Sequence, residues 1–168
     1  NLKVLVAEDN PTSCKYIKAL LEYLGCIVTL APNGYEVLEK LNSGDFDCIL
    51  MDKNMPGLDG VGTTHVIRKN EEKTGRRLPI IALTASAIIG DREKLLAEGM
   101  DYYLSKPVDE LKLAAVLKAV KEGAVFKGFA DTACELTKST LIDKEVFIKE
   151  AELFGEEVMM EIICEFLK

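Results

Sequence analysis

Five positions in this chain carry groups that could do chemistry together: the neighbouring carboxylates Glu8 and Asp9, the carboxylate Asp52, the hydroxyl of Thr84 and the ammonium of Lys106. Carboxylates gathered in one cleft repel, which raises at least one pKa unless a cation offsets the charge. With no His or Cys in the set, an all-oxygen donor group suits Mg2+, with Mn2+ as the second choice. A carboxylate beside such a metal can attack phosphorus and become an aspartyl phosphate. Phosphoryl transfer asks for positioning and charge neutralisation more than for acid–base chemistry. The inventory supplies both: the metal for one phosphoryl oxygen, Lys106 for a second, the Thr84 hydroxyl for a third, and an oxygen of Asp52 in line with the leaving group.

Taken singly, each residue has an ordinary reading. Glu8 and Asp9 would be a polar strand end and helix start, Asp52 a turn residue, Thr84 a strand-end hydroxyl and Lys106 a solvated lysine. The joint reading depends on the elements that carry them. Strand-like apolar runs alternate with segments of helical period, which predicts a parallel α/β sheet. The strands are expected at Leu2–Ala7, Cys26–Leu30, Cys48–Met51, Ile80–Leu83 and Tyr102–Ser105. The Cys48–Met51 run is wholly apolar, as when helices cover both faces.

Helices fill the gaps. Asn10 and Pro11 offer a cap and a first-turn proline before Ile17, Leu20, Leu21 and Leu24, and Gly25 stops that helix. Asn33-Gly34 opens the next, which ends at Asn42-Ser43-Gly44; a third runs from about Val61 to Glu71 and a fourth from Asp91 to Glu98. Asp109 caps a fifth, with Leu113, Val116, Leu117 and Val120 on one stripe. Five such units predict a doubly wound, flavodoxin-like α/β fold with strand order 2-1-3-4-5. In open parallel sheets, ligands bind beyond the carboxyl ends of the strands, near the point where strand order reverses. In that order the strands delivering Glu8-Asp9, Asp52, Thr84 and Lys106 are neighbours.

The chain has 168 residues, 48% hydrophobic and 29% charged, with a formal net charge of −7. That is one ordinary globular domain with little room for a second. No basic run exceeds Arg76-Arg77, so a direct nucleic-acid surface is not expected. No apolar run approaches the ~20 residues needed to span a bilayer, no secretory signal opens the chain, and membrane contact is not expected of this segment. The chain begins with Asn1 rather than Met, as a piece cut from a longer protein would. Cys14, Cys26, Cys48, Cys134 and Cys164 form no C-x-x-C, and His65 is the single histidine, which disfavours a structural zinc site, a disulfide framework or Ser-His-Asp catalysis and fits a reducing cytosol.

Residues 1–122 are expected as the main domain, 123–141 as a linker, and 142–168 as a C-terminal helical extension. The last 45 residues, 124–168, carry a net −5, with Phe147, Ala151 and Phe154 on one face and Met159, Ile162, Ile163 and Phe166 on another. Such stripes are expected to pack on the main domain, on another chain such as a second copy in a homodimer, or on residues outside this sequence.

The runs Val4–Asn10 (VLVAEDN), Met51–Gly60 (MDKNMPGLDG), Ile81–Ala85 (IALTA) and Gly99–Pro107 (GMDYYLSKP) together resemble the receiver domains of two-component response regulators. The resemblance covers residues 1 to about 122. It implies that Asp52 is the phosphoacceptor, that Glu8, Asp9 and Asp52 hold Mg2+ with the backbone carbonyl of Asn54, and that Thr84 and Lys106 read the phosphoryl group. It further implies a switch role for Tyr103 with Thr84 and a cis peptide at Lys106–Pro107. Such a domain would catalyse its own aspartyl phosphorylation and dephosphorylation.

The wording from Ile81 through Val108 is most similar to receivers attached to hybrid sensor histidine kinases. Leu141 through Leu167 resembles the first helices of a histidine-containing phosphotransfer domain, whose phosphorylated histidine would lie beyond Lys168. His65 lies in the receiver's own helix and is expected to be non-catalytic. The implied partners are a histidine kinase domain and a phosphotransfer domain, in a cytoplasmic segment of a parent protein that an inner-membrane anchor would suit.

Two rivals stand beside this reading. One is a phosphorylation-independent interaction module on the same fold. The other is a small Mg2+-dependent phosphatase, which would want a second Asp where Asn54 stands. Gly60-Val61-Gly62-Thr63-Thr64-His65 starts like a dinucleotide loop but lacks its third glycine.

Overall fold

A computed structural model of the chain describes residues 1–85 and 91–123. The expectations for residues 124–168, including the linker, the two amphipathic segments, Cys134 and Cys164, lie outside the described residues.

Five parallel strands alternate with five helices: β1 Lys3–Ala7, α1 Pro11–Tyr23, β2 Ile27–Ala31, α2 Gly34–Ser43, β3 Cys48–Asp52, α3 Gly60–Thr74, β4 Ile80–Thr84, α4 Asp91–Ala97, β5 Tyr102–Ser105 and α5 Glu110–Lys121. The sheet order is β2-β1-β3-β4-β5, as expected. Successive strand side chains point to opposite faces, so each strand feeds two cores. Val4 and Val6 of β1 join Leu50, Ile81 and Leu83 under α1 and α5, where Ile17, Leu21, Leu113 and Leu117 are buried. Leu5 and Ala7 join Ile49, Met51, Ile80 and Ala82 under α2, α3 and α4, with Val37, Ile67 and Leu95. All residues of β3 and β4 are buried, which is why those runs carry no polar alternation.

The helix starts follow local chemistry. Asn10 caps α1 by accepting the N–H groups of Thr12 and Ser13, with Pro11 in the first turn. Asn33, Asp59 and Asp109 cap α2, α3 and α5 in the same way. These caps sit just past the carboxyl ends of their strands, so each loop that shapes the cleft is pinned at its far side.

Several boundaries differ from expectation: β1 starts at Lys3, β2 extends to Ala31, β4 includes Thr84 and α4 ends at Ala97. β3 includes Asp52, so the carboxylate is the strand's last residue rather than part of a loop. β2 starts one residue later, at Ile27. The helix read from about Val61 to Glu71 instead spans Gly60–Thr74 and ends where Gly75 adopts φ 69°. Its last turn carries no buried residue, so apolar period could not report it; the left-handed glycine was the available signal.

Candidate functional site

Register decides which side chains meet. Ala7 pairs with Met51, Asp52 with Leu83, and Thr84 with Ser105, so β1, β3, β4 and β5 end level with one another. The residues at or just beyond those ends are Glu8, Asp9, Asp52, Thr84 and Lys106, and one carboxylate oxygen from each of Glu8, Asp9 and Asp52 lies within 4.8 Å of the others. Glu8 is 1% exposed and Asp52 6%, while Asp9 faces solvent.

Lys106 ties the cluster together. Its Nζ donates to Glu8 Oε2 at 2.6 Å and to Asp52 Oδ2 at 2.7 Å. Burial works against its charge, but the hydrogen bonds and fields of Asp52 and Glu8 outweigh it and hold the ammonium above its ordinary pKa. The lysine is placed by its own backbone, whose N–H donates to the Thr84 carbonyl at 2.7 Å, and the following Lys106–Pro107 peptide is cis. The second oxygen of each carboxylate also accepts one hydrogen bond: Glu8 Oε1 from the Asn10 N–H at 3.2 Å and Asp52 Oδ1 from the Asn54 N–H at 3.1 Å.

The cluster fits a divalent cation by its donor chemistry. Its three carboxylates bring all-oxygen ligands, two of them are buried and satisfied by a cation already, and the exposed Asp9 leaves one side open. Tyr103 is half-buried on β5 and packs against the core under α2, α3 and α4. Asn54 meets the site through its backbone. His65 stands apart, on α3, with Nε2 2.6 Å from Glu98 Oε2 beyond the end of α4. The glycine-rich run at 60–62 is the capped first turn of α3 rather than a nucleotide loop.

Sequence reasoning missed three features. Gly60 abuts the strand end so closely that an added Cβ would lie 2.2 Å from the Asp52 carbonyl oxygen; its place eight residues after Asp52 in a Gly-rich loop was the only hint. Cys14 donates its thiol to the Glu8 carbonyl at 3.2 Å, and burial first, then the charges of Glu8 and Asp9, push that thiol up. A second polar cluster, around the 7% exposed Asp101, fixes the opposite ends of β4 and β5. Asp101 accepts from the Ile80 N–H at 2.8 Å, from Arg77 Nε and Nη2 at 2.9 and 2.7 Å, and from Arg68.

A strand-end carboxylate cluster bridged by a lysine thus stands at the carboxyl edge of a five-stranded parallel sheet of order 2-1-3-4-5. The family model of the response regulator receiver domain matches residues 4–118, and the chain belongs to that family. It is 44% identical over 116 residues to the sensor histidine kinase GacS of Pseudomonas protegens, covering 68% of this chain and 13% of that protein. The receiver domain of a sensor histidine kinase of Pseudomonas aeruginosa, solved with a magnesium ion coordinated in its active site cleft, is 43% identical with a TM-score of 0.64, covering 70% of this chain and 95% of that one.

A Saccharomyces cerevisiae structure, the receiver domain of the response regulator Ssk1 with the histidine phosphotransfer protein Ypd1, aligns at 31% identity and a TM-score of 0.64 over 78% of this chain and 94% of that one. The chain is thus a phosphorelay receiver close to those of hybrid sensor histidine kinases. No helix among the described residues is long and apolar enough to cross a membrane.

Proposed function

We propose that the chain accepts a phosphoryl group from phosphohistidine onto Asp52, and that the new charge switches the faces around β4 and β5. The observation that carries this reading is the lysine bridge: one ammonium, 2.6 and 2.7 Å from two buried carboxylates, beside a strand-end threonine. An oxygen of Asp52 forms the O–P bond as the N–P bond of the donor breaks. The electron pair returns to the imidazole nitrogen, which then takes a proton from water. Lys106, already aimed at Asp52, stabilises the charge carried onto that carboxylate, and the Thr84 hydroxyl reads a phosphoryl oxygen. Tyr103, next to β4 through the Ala82–Tyr103 pairing, follows Thr84 in the switch.

Glu8, Asp9 and Asp52, with the Asn54 carbonyl, would hold Mg2+, or Mn2+ as the alternative, which when bound neutralises the phosphoryl oxygens. Residues 1–122 form the acting domain. Its donors and acceptors would be a histidine kinase domain and a phosphotransfer domain, the second supported by the Ssk1 receiver seen with Ypd1. The parent would be a hybrid kinase, with this segment in the cytoplasm. Incubation with acetyl phosphate and Mg2+ tests the reading: the wild type should consume the donor catalytically and Asp52→Asn should not. Equal consumption by both would overturn the assignment.

A further inference from the structure

Asp52 lies so deep that a protein passing it a phosphoryl group must close over the rim of the cleft. Tyr35 stands on that rim and, at 65% exposed, is the most exposed large hydrophobic side chain among the described residues. It is the second residue of α2, which starts just past the end of β2. Ala31, the last residue of β2, accepts the N–H of Glu8 at 3.1 Å, so the start of α2 lies at the end of the sheet where the carboxylates gather.

Two contacts fix the aromatic ring there. The Gly34 N–H donates to the Leu58 carbonyl at 3.2 Å, which binds the helix start to the loop after β3. In the same loop, Gly57 adopts φ +78°, and a Cβ on it would stand 3.2 Å from Tyr35 Cε2, so the ring edge rests on the glycine's bare backbone. This is the loop whose Asn54 N–H holds Asp52 Oδ1. The ring is therefore braced on the acceptor's own loop and largely exposed. A pre-ordered aromatic loses little conformational freedom on burial, and such residues dominate interface energies.

We propose that Tyr35 is an anchor for protein phosphodonors: its ring covers a cationic side chain beside the donor's phosphohistidine, a charge that matches the acidic cleft. Tyr35 takes no part in the chemistry, so it separates docking from transfer. This inference rests on the phosphoacceptor reading above.

The test compares wild type, Tyr35→Ala and Tyr35→Phe with two donors, acetyl phosphate and phosphorylated Ypd1, at donor concentrations below saturation. With acetyl phosphate all three should label Asp52 at the same rate. With Ypd1, Tyr35→Ala should be slower by about tenfold, the size of a modest interface anchor, and Tyr35→Phe should stay near wild type. Equal slowing of Tyr35→Ala with both donors would overturn the proposal, since the ring would then act on the site itself; so would no slowing with either. A wild type that takes phosphoryl from acetyl phosphate but not from Ypd1 would overturn it while leaving Asp52 as acceptor. No labelling of Asp52 by acetyl phosphate would remove the underlying reading and this inference with it.

Discussion

Gly60 presses its Cα hydrogens against the backbone carbonyl of Asp52, where a methyl group would sit 2.2 Å from the oxygen. The Gly60 N–H also donates to the Lys53 carbonyl at 3.1 Å, so α3 starts directly on the strand end that carries the Asp52 carboxylate. Gly60→Ala should therefore move the strand end or the helix start, at a cost of about 1–3 kcal/mol for overpacking. Urea denaturation should show the loss, and acetyl phosphate labelling should slow with it. Wild-type stability in that variant would mean that the contact relaxes freely.

The clasp at the other end of β4 and β5 should matter for stability without touching the chemistry. Asp101→Ala strips partners from Arg68 and the Ile80 N–H in a largely buried place, which costs about 3–5 kcal/mol when one side of such a network is removed. Chemical denaturation should report this, while the fraction still folded should label at Asp52 normally.

Asp9 offers a way to separate cation binding from folding. It is the exposed member of the acidic cluster, whereas Glu8 and Asp52 are committed to Lys106. A ligand that binds only the folded state stabilises by about 2.7 kcal/mol at roughly a hundred times its dissociation constant. Mg2+ should raise the melting temperature of the wild type, EDTA should reverse the rise, and Asp9→Asn should melt like the wild type in EDTA but gain little from Mg2+. A full Mg2+ response in Asp9→Asn would exclude it as a ligand.

Alkaline pH should expose the buried thiols. Burial pushes Cys48 far above its ordinary value of 9.0, and pushes Cys26 up to about 11. The unfolded thiol loses its proton first, so the stabilisation is complete below pH 9.0 and drains away as pH rises towards the folded value. The loss is up to about 1.4 kcal/mol per pH unit for each thiol. Melting curves from pH 7 upward should fall less steeply for Cys26→Ala than for the wild type, and parallel curves would contradict the burial argument.

Much of this was legible in the sequence because it is local. The apolar runs ending in Glu8, Asp52 and Thr84 mark both a strand and its business end, and Asn10, Asn33 and Asp109 announce helix starts through their own side chains. What could not be read depends on pairs distant along the chain. Nothing near Asp101 says that Arg68, thirty-three residues earlier, will meet it, since that contact exists only after β4 and β5 align. The tight approach of Gly60 to Asp52 is equally a product of packing. The last turn of α3 was missed because Glu72, Lys73 and Thr74 are all exposed and carry no core pattern.

The most direct test is intact-protein mass spectrometry after incubation with acetyl phosphate, with Mg2+ or EDTA, on wild type and Asp52→Asn, followed by peptide mapping. The expected result is a gain of one phosphoryl group, located on Asp52, that needs both Mg2+ and the carboxylate. A gain that persists in Asp52→Asn, or a folded Mg2+-bound wild type that gains nothing, would contradict the assignment of Asp52 as the phosphoacceptor.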